Sequence, residues 1–479
     1  MIPTPTLRVI SENYLQIAST PMFRVAGKNC ARIKRIVTQF EYWLHGYLGA
    51  STLPPKDGIL LIDIDLNVNL NHLDGAYIIN VSATEIMITT DGEQGLRNAF
   101  ASLKQLIHRA LTFQQGKLET QFIGDNPAYE WRGLHLDVSR HFFGVKEVCQ
   151  YLDWMAALKL NRFHWHLSDD QGWRINSTRF PLLTRKGAWR KEDDGSIYGG
   201  FYTKKEIKEV VKYARSLGIT VIPEIDLPGH AMAILSAYPD LACFPREFEP
   251  LTVWGISEDI LCAGKDATLS FLKELLLEVA ELFPGPYLHI GGDEAPKHRW
   301  KECPHCQQRI RQEGLQDEEE LQSWLIQQLQ QTLEDAGKTL LGWDEILDGN
   351  LGTQPIVHVW SGDGKDAARK AAANGNRYII SPNKLLYFDW RAEEDPATPG
   401  AHGVTSLEKV MAIKPREYEF GDGELLLGGQ ANVWTEYMPD FATVKKMLFP
   451  RVFAMAELWW NGQCEDDLPQ RIKEVESLW

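Results

Sequence analysis

Two adjacent carboxylates, Asp293 and Glu294, are the residues best suited to acid/base chemistry, because they follow a short apolar run and two glycines. The glycines allow close approach of the backbone or unusual backbone angles. Two crowded carboxylates tend to raise the pKa of one of them, as a general acid requires. A solvated pair bridged to Lys297 and Arg299 is the alternative, and the spacing favours acid/base function without deciding it.

Three further titratable residues follow other apolar runs, where they could reach Glu294: Asp169, Asp170 and His230. An Asp–His–Glu relay would tune a general acid and hold its proton. His230 could instead only cap the turn that follows its neighbouring proline and glycine. The sequence therefore indicates a supporting role for these residues and leaves the simpler alternative open.

Tryptophans lie at the ends of three separate apolar runs of the sequence, where together they could line a pocket for an apolar or planar group. Any one tryptophan is more often a core residue, but three at converging positions favour a ligand wall. These residues are Trp343, Trp360 and Trp434, and the run ends also carry Arg140, Asp389 and Glu436, whose donors and acceptors suit hydroxyl groups.

Two other patterns are typical of metal sites. His164 and His166 alternate on one strand and so share a face. A metal site would need further histidine or lysine ligands at later run ends, which carry tryptophan and carboxylates instead. We therefore expect hydrogen-bonded histidines in the interior, no metal and no cofactor.

Cys303 and Cys306 form a lone C-x-x-C motif, which could be redox-active or half of a zinc site. No second pair is evident among the seven scattered cysteines. We therefore predict a surface turn at this motif.

The elements that position these groups repeat from about residue 131 onward. Eight short apolar runs each end in polar or aromatic residues, and helical stretches such as 146–158, 204–217, 269–283 and 321–336 lie between most of them. This pattern predicts an α/β fold, a (β/α)₈ TIM barrel with its site at the carboxyl ends of the strands. A doubly wound sheet would need a glycine-rich phosphate turn, and none is found.

The segment before the barrel reads as a small α+β domain over residues 1–124, with the barrel over 125–479. Strands are predicted at 58–66 and 76–90, and amphipathic helices at 28–47 and 95–113. We expect the helices to pack on one face of the sheet.

Composition limits the partners. The 479 residues carry a net charge of −15, which disfavours nucleic acid and anionic membrane surfaces. No apolar run of about 18 residues is present, so no membrane span is expected. The first residues lack a signal-peptide pattern, so we expect a cytoplasmic protein, or a secreted or periplasmic one whose leader is absent. A homodimer remains open.

The sequence at the ends of these apolar runs closely resembles that of the family 20 glycoside hydrolases, the β-N-acetylhexosaminidases. The resemblance covers the whole predicted barrel through stretches 131–141, 163–170, 223–230, 289–294, 342–345 and 429–436. It implies retaining, exo-acting hydrolysis of terminal β-linked N-acetylhexosamine from a glycan substrate. This family is a substrate-assisted exception to the two-carboxylate scheme.

The resemblance also implies roles for individual residues. Glu294 would be the general acid/base, and Asp293 would orient the substrate's own acetamido group, which acts as nucleophile. Tyr387 would hydrogen-bond the acetamido oxygen. The three tryptophans would enclose the acetamido group and sugar ring, while Arg140, Asp389 and Glu436 bind hydroxyls, and Asp169 and His230 support Glu294. A catalytically silent glycan-binding protein on the same barrel is the alternative.

Overall fold

The computed structural model describes residues 1–27, 30–50, 56–68, 70, 74–395, 397–421 and 423–478. Among these residues, no helix is both long enough and apolar enough to cross a membrane.

The N-terminal region is a six-stranded sheet with two helices. Its strands, in spatial order, are Leu7–Gln16, Lys117–Asp125, Tyr77–Val81, Glu85–Thr89, Lys56–Asp65 and Ala18–Ala26. The helices, Ala31–Ala50 and Glu93–Phe113, share one hydrophobic cluster with the sheet. Phe40 and Phe100 stack across the helix pair with ring centroids 4.1 Å apart, so both helices lie on the same face.

Two of the local predictions differ from the observed elements. The single strand expected at 76–90 is a pair of antiparallel strands, because Ser82 turns the chain and accepts a hydrogen bond from the amide of Glu85. The helix expected at 28–47 begins at Ala31, and residues 28–29 lie outside the described part of the chain.

The predicted barrel is confirmed: eight parallel strands close on themselves in chain order. The strands, called one to eight below, are Trp131–Asp137, Arg162–His166, Thr220–Leu227, Tyr287–Gly291, Thr339–Trp343, Ile356–Val359, Tyr378–Ile380 and Leu426–Ala431. Their burial is nearly complete, as expected for strands covered by helices outside and packed side chains inside.

Helices separate most of the barrel strands. The helices between strands are Val145–Ala157, Lys204–Ser216, Met232–Ala237, Asp266–Leu282, His298–Glu302, Pro304–Glu313, Glu318–Asp335, Lys365–Asn374, Asn383–Leu386 and Leu407–Met411. Strand eight is followed by Phe441–Leu448, Arg451–Asn461 and Leu468–Val475. Three short ribbons pair Ser168–Asp169 with Gly172–Trp173, Trp189–Lys191 with Ile197–Gly199, and Trp390–Arg391 with Ala401–Val404. Thr203 and Glu206 form a capping box that fixes where the helix before strand three begins.

Strand seven ends earlier than the run pattern predicts. It spans Tyr378–Ile380, and the helix Asn383–Leu386 follows it. Tyr387 then forms an isolated bridge with Asn432, whose carbonyl accepts a hydrogen bond from the amide of Phe388 at 2.8 Å. The chain therefore returns beside the end of strand eight, and this return brings Tyr387 and Asp389 to the carboxyl end of the barrel.

A buried polar cluster joins the N-terminal sheet to the barrel. Asp125 accepts hydrogen bonds from Lys159 Nζ and from Trp460 Nε1, each at 2.8 Å. Tyr77 also donates to Asp125, and both Lys159 and Trp460 are buried. Burial lowers the pKa of Lys159, opposed by Asp125. The division at residue 124/125 remains a prediction, since this cluster lies across it.

Candidate active site

The Asp293–Glu294 pair follows strand four on an unusual backbone. Gly291 has φ +71°, and a Cβ there would lie 1.7 Å from the Asp226 carboxylate, so only glycine fits. Glu294 itself has φ +44°, and His230, which faces it, has φ +46°. Non-glycine residues seldom adopt this left-handed conformation, which is enriched where function fixes the geometry.

His230 lies between the carboxylate pair and Asp169. Its Nε2 is 3.4 Å from Glu294 Oε2 and 3.9 Å from Asp293 Oδ2, while its Nδ1 is 3.1 Å from Asp169 Oδ1. Burial disfavours the imidazolium, but Asp169, Glu294 and Asp226 together outweigh burial and hold the pKa of His230 well above its usual range. The Asp–His–Glu arrangement considered from the sequence is therefore present as a set of short contacts.

Asp293 sits in an environment that opposes its charge. Burial raises the pKa of Asp293 to about 7, with His230 opposing the shift and Glu224 and Glu294 adding to it. Glu294 is the more accessible partner, with 35% of its side chain exposed. The two neighbours therefore occupy different environments, which is how paired carboxylates acquire separate roles.

Arg140 and Asp169 form the base of the site. Arg140 Nη2 lies 2.9 Å from Asp169 Oδ2 and 3.8 Å from Glu436 Oε1, and Nε donates to Gln171 Oε1 at 3.0 Å. Asp169 Oδ2 is also 2.8 Å from His166 Nε2. Burial would raise the pKa of Asp169, but Arg140 and His230 hold it well below its usual range. Asp170 instead accepts a hydrogen bond from the Met232 amide at 3.0 Å, so it anchors the segment that follows His230.

Glu224 on strand three is a central residue to which the sequence analysis gave no role. Its carboxylate accepts from Trp343 Nε1 at 2.9 Å and lies 2.5 Å from His166 Nδ1. It is fully buried, and burial would raise its pKa, but the surrounding histidines hold the pKa of Glu224 well below its usual range. An acidic residue at an inward position of a barrel strand was the signal that could have identified it.

The predicted aromatic wall is assembled at the barrel mouth. Trp343, Tyr387 and Trp434 form one cluster, against which Trp360 and Trp390 pack. Trp343 and Trp434 lie 5.9 Å apart between ring centroids, and Trp360 stacks on Tyr387 at 6.0 Å with an interplanar angle of 19°. These faces suit the apolar C–H surface of a sugar or a planar acetamido group.

Several buried carboxylate oxygens at this mouth have no hydrogen-bond partner within the described chain: Asp293 Oδ1, Asp389 Oδ1 and Glu436 Oε2. Buried polar atoms are normally paired, so these oxygens are available to donors from a ligand or from water. Burial raises the pKa of Asp389 well above its usual range, and Glu436 adds to the shift.

Glu345 ends the stretch 342–345, and the sequence analysis gave it no role. It accepts from Trp360 Nε1 at 2.8 Å, and burial raises the pKa of Glu345 to about 9, with Asp293 and Asp344 adding to the shift. Glu345 therefore positions one of the predicted wall tryptophans.

The interior histidines beneath the site are hydrogen-bonded. His164 Nδ1 accepts from Gln430 Nε2 at 2.9 Å, and His358 Nε2 lies 2.8 Å from Ser381 Oγ. Burial lowers the pKa of His164 to about 4, so it is neutral. Burial also disfavours the charge on His166, but Glu224 and Asp169 outweigh this effect and raise the pKa of His166 to about 10.

The surface turn predicted at Cys303 and Cys306 is wrong. Both side chains are fully buried, and they lie with Cys243 and Cys262, which are also buried. Cys243 and Cys262 come about 40–60 residues earlier in the chain, so a short spacing motif does not identify them as partners.

Two cavities differ in the residues that line them. One of about 330 Å³ opens beside Glu294, with Lys297 and Glu345 in its lining. A larger one of about 600 Å³ lies between the N-terminal helices and the barrel, and Asp153 is the one carboxylate in its described lining. Of the carboxylate pair, Glu294 lies in the described lining of the smaller cavity, so this cavity adjoins the candidate acid/base residue.

Arranged this way at the carboxyl ends of a closed barrel, the carboxylates and the aromatic wall place the chain among the glycoside hydrolases. Residues 129–463 match the family model described as glycosyl hydrolase family 20, catalytic domain. The chain belongs to this family.

Known relatives support the assignment. A β-hexosaminidase of Porphyromonas gingivalis is 45% identical over 359 residues, covering 74% of this chain and 46% of that protein. A β-hexosaminidase of Vibrio furnissii is 34% identical over 410 residues, covering 82% of this chain and 66% of that protein. The chain thus spans about half the length of the first relative and about two thirds the length of the second.

Solved structures give the same family. The exo β-N-acetylglucosaminidase of Vibrio harveyi, in complex with N-acetylglucosamine, superposes with a TM-score of 0.86 at 28% identity, covering 100% of this chain and 76% of that one. The similarity therefore extends across the N-terminal sheet as well as the barrel.

Proposed function

We propose that the chain is an exo-acting, retaining β-N-acetylhexosaminidase that removes terminal, non-reducing β-linked N-acetylglucosamine or N-acetylgalactosamine from glycans. The observation that carries this proposal is the set of unpaired, buried acceptors on Asp293, Asp389 and Glu436 beside an aromatic wall. Such a pocket suits a ligand with hydroxyl and N–H donors and one apolar group.

The proposed reaction uses the substrate's own acetamido group. Its oxygen attacks the anomeric carbon as the glycosidic C–O bond breaks, and Glu294 gives its proton to the departing oxygen. Asp293 accepts the acetamido N–H and stabilises the positive charge of the resulting oxazolinium ion, as an acceptor aimed at developing charge does. Tyr387 donates to the acetamido oxygen.

The second half of the reaction restores the enzyme. Glu294, now a carboxylate, takes a proton from water as the water oxygen attacks the anomeric carbon and the oxazolinium ring opens. Two successive inversions give net retention. His230 and Asp169 support Glu294 through the contacts described above, while Arg140, Asp389 and Glu436 hold the sugar hydroxyls and the three tryptophans enclose the ring and acetamido group.

The alternative is a catalytically silent glycan-binding protein on the same barrel. The paired Asp293 and Glu294, held on a glycine-rich turn against His230, favour catalysis, because simple binding does not need an acid in this strained position.

One set of assays tests the proposal. Chromogenic β-N-acetylglucosaminide and β-N-acetylgalactosaminide should be hydrolysed, while the matching 2-hydroxy glucoside should not. A thiazoline analogue of the cyclised intermediate should inhibit strongly. Brisk hydrolysis of the 2-hydroxy glucoside, or a covalent sugar ester on Asp293 found by mass spectrometry, would contradict substrate assistance; binding without any hydrolysis would favour the silent protein.

A further inference from the structure

Four buried cysteines converge outside the active site. Cys243 and Cys262 lie on the loop after strand three. Cys303 and Cys306 belong to the loop segment after strand four, in which Cys303 precedes the helix Pro304–Glu313 and Cys306 lies in its first turn. Their Sγ atoms all lie within 4.8 Å of one another.

The Sγ···Sγ distances match those between four ligands of a tetrahedral metal site. Three Sγ···Sγ distances are 3.6 Å for Cys262–Cys306, 3.7 Å for Cys262–Cys303 and 3.8 Å for Cys243–Cys306. Four sulfurs at a Zn–S distance of about 2.3 Å define a tetrahedron with edges of about 3.8 Å. A disulfide would bring one pair to about 2.05 Å and leave no reason for all four to converge.

The polypeptide around the cluster is closely packed. A Cβ on Gly264 would lie 2.2 Å from the amide nitrogen of Cys306, so glycine is required where the two loops meet. Trp300 Nε1 donates to the carbonyl of Leu261 at 2.9 Å, and Lys265 Nζ donates to the carbonyl of Ala242 at 2.6 Å. The Trp300 bond joins the two loops, and the Lys265 bond ties together the two ends of the segment that carries Cys243 and Cys262.

We propose that Cys243, Cys262, Cys303 and Cys306 bind one zinc ion as four thiolates. Binding releases the four thiol protons to solvent and forms four Zn–S bonds, with no change of oxidation state. A tetrahedral set of four thiolates suits zinc, and four protein ligands leave no open position for substrate. The ion is thus structural rather than catalytic.

The site joins the two loops that carry the acid/base machinery. The loop with Cys243 and Cys262 begins near His230, and the loop with Cys303 and Cys306 begins near Glu294. By linking them, zinc would fix the separation of His230 and Glu294. The proposal does not depend on the glycosidase function, because metal content is measured without substrate.

The first test is metal analysis of the purified full-length chain by inductively coupled plasma mass spectrometry. We expect about one zinc per chain in the wild type, and below about 0.2 in a Cys303→Ser/Cys306→Ser variant. Cys149→Ser is the matched control, because Cys149 lies on the helix Val145–Ala157 outside the cluster; it should retain the ion. A wild type without stoichiometric zinc, or a double variant that keeps it, would overturn the proposal.

A second test remains decisive if the double variant does not fold. Wild-type protein denatured with chelator, without reductant, should show all seven cysteines open to alkylation by intact mass. Two disulfides would protect four of them and refute the zinc site. Wild type produced with cobalt should show the thiolate-to-metal and d–d absorption of tetrahedral sulfur coordination, and the absence of these bands would also contradict the proposal.

Discussion

Arg140 and Asp169 form a buried ion pair, with Nη2 2.9 Å from Oδ2, and the other oxygen of Asp169 contacts His230. The same arginine lies 3.8 Å from Glu436. Arg140 is thus both a direct candidate for binding substrate hydroxyls and the charge that keeps Asp169 ionised. A change at Arg140 should therefore affect binding and catalysis together.

Replacing Arg140 with alanine should raise KM and lower kcat/KM. Losing a charged hydrogen bond in a buried pocket costs on the order of 2–3 kcal/mol, about 30- to 150-fold. Arg140→Lys should recover part of the loss, because it keeps a charge beside Asp169 without the planar donor fork. Steady-state kinetics on a chromogenic substrate would check this, and an unchanged kcat/KM for Arg140→Ala would remove Arg140 from the site.

Glu294→Gln should lower kcat on natural glycans by about 10²- to 10⁴-fold, the usual share of proton transfer. The loss should be smaller on aryl glycosides, whose leaving group needs no proton. The measurement is kcat for both substrate types in parallel. An equal loss on both would show that Glu294 is not the general acid.

The raised pKa of Asp293 predicts an acid limb in the pH profile. The carboxylate form is required, and it is lost as pH falls through about 7 in the free enzyme, so kcat/KM should fall about tenfold per pH unit below that value. In the complex, the acetamido N–H and the developing positive charge stabilise the carboxylate. The limb in kcat should therefore lie at lower pH than the limb in kcat/KM.

The profiles should be measured from about pH 5 to about pH 9. Asp293→Asn should bind substrate nearly normally, lose most of kcat and lose this limb. A flat kcat/KM across pH 7 in the wild type would contradict the assignment.

Asp125→Ala should destabilise the whole chain. It leaves the buried Lys159 ammonium without its carboxylate, and breaking a buried pair from one side costs about 3–5 kcal/mol. Asp466, an exposed acidic residue, gives the matched control. Denaturant unfolding should show a clear loss of stability for Asp125→Ala and little change for Asp466→Ala; equal midpoints would show that this cluster does not stabilise the fold.

The sequence predicted the barrel well because each strand is a short apolar run with a distinctive end. It located Tyr387 less well, since a helix and a return of the chain separate this residue from strand seven. The strand Leu7–Gln16 was missed because most of its side chains are exposed and give no clear alternation. Glu224 was given no role because its importance comes from partners on other strands.

The cysteine cluster shows the same limit more strongly. Its members are spread over residues 243–306, and only Cys303 and Cys306 are close in sequence. Their convergence depends on how two barrel loops pack, which short-range patterns do not record.

The left-handed backbone at His230 and Glu294 lowers the stability of the fold at two residues that the proposed reaction needs. Each non-glycine residue in this conformation costs roughly 1–2 kcal/mol relative to glycine. Glycine at either position would relieve this backbone cost, but it would also delete a side chain to which we assign a role in the proposed reaction. If the proposed function holds, selection for a relaxed backbone alone would favour loss of activity, so directed evolution of this chain needs an activity screen at every round.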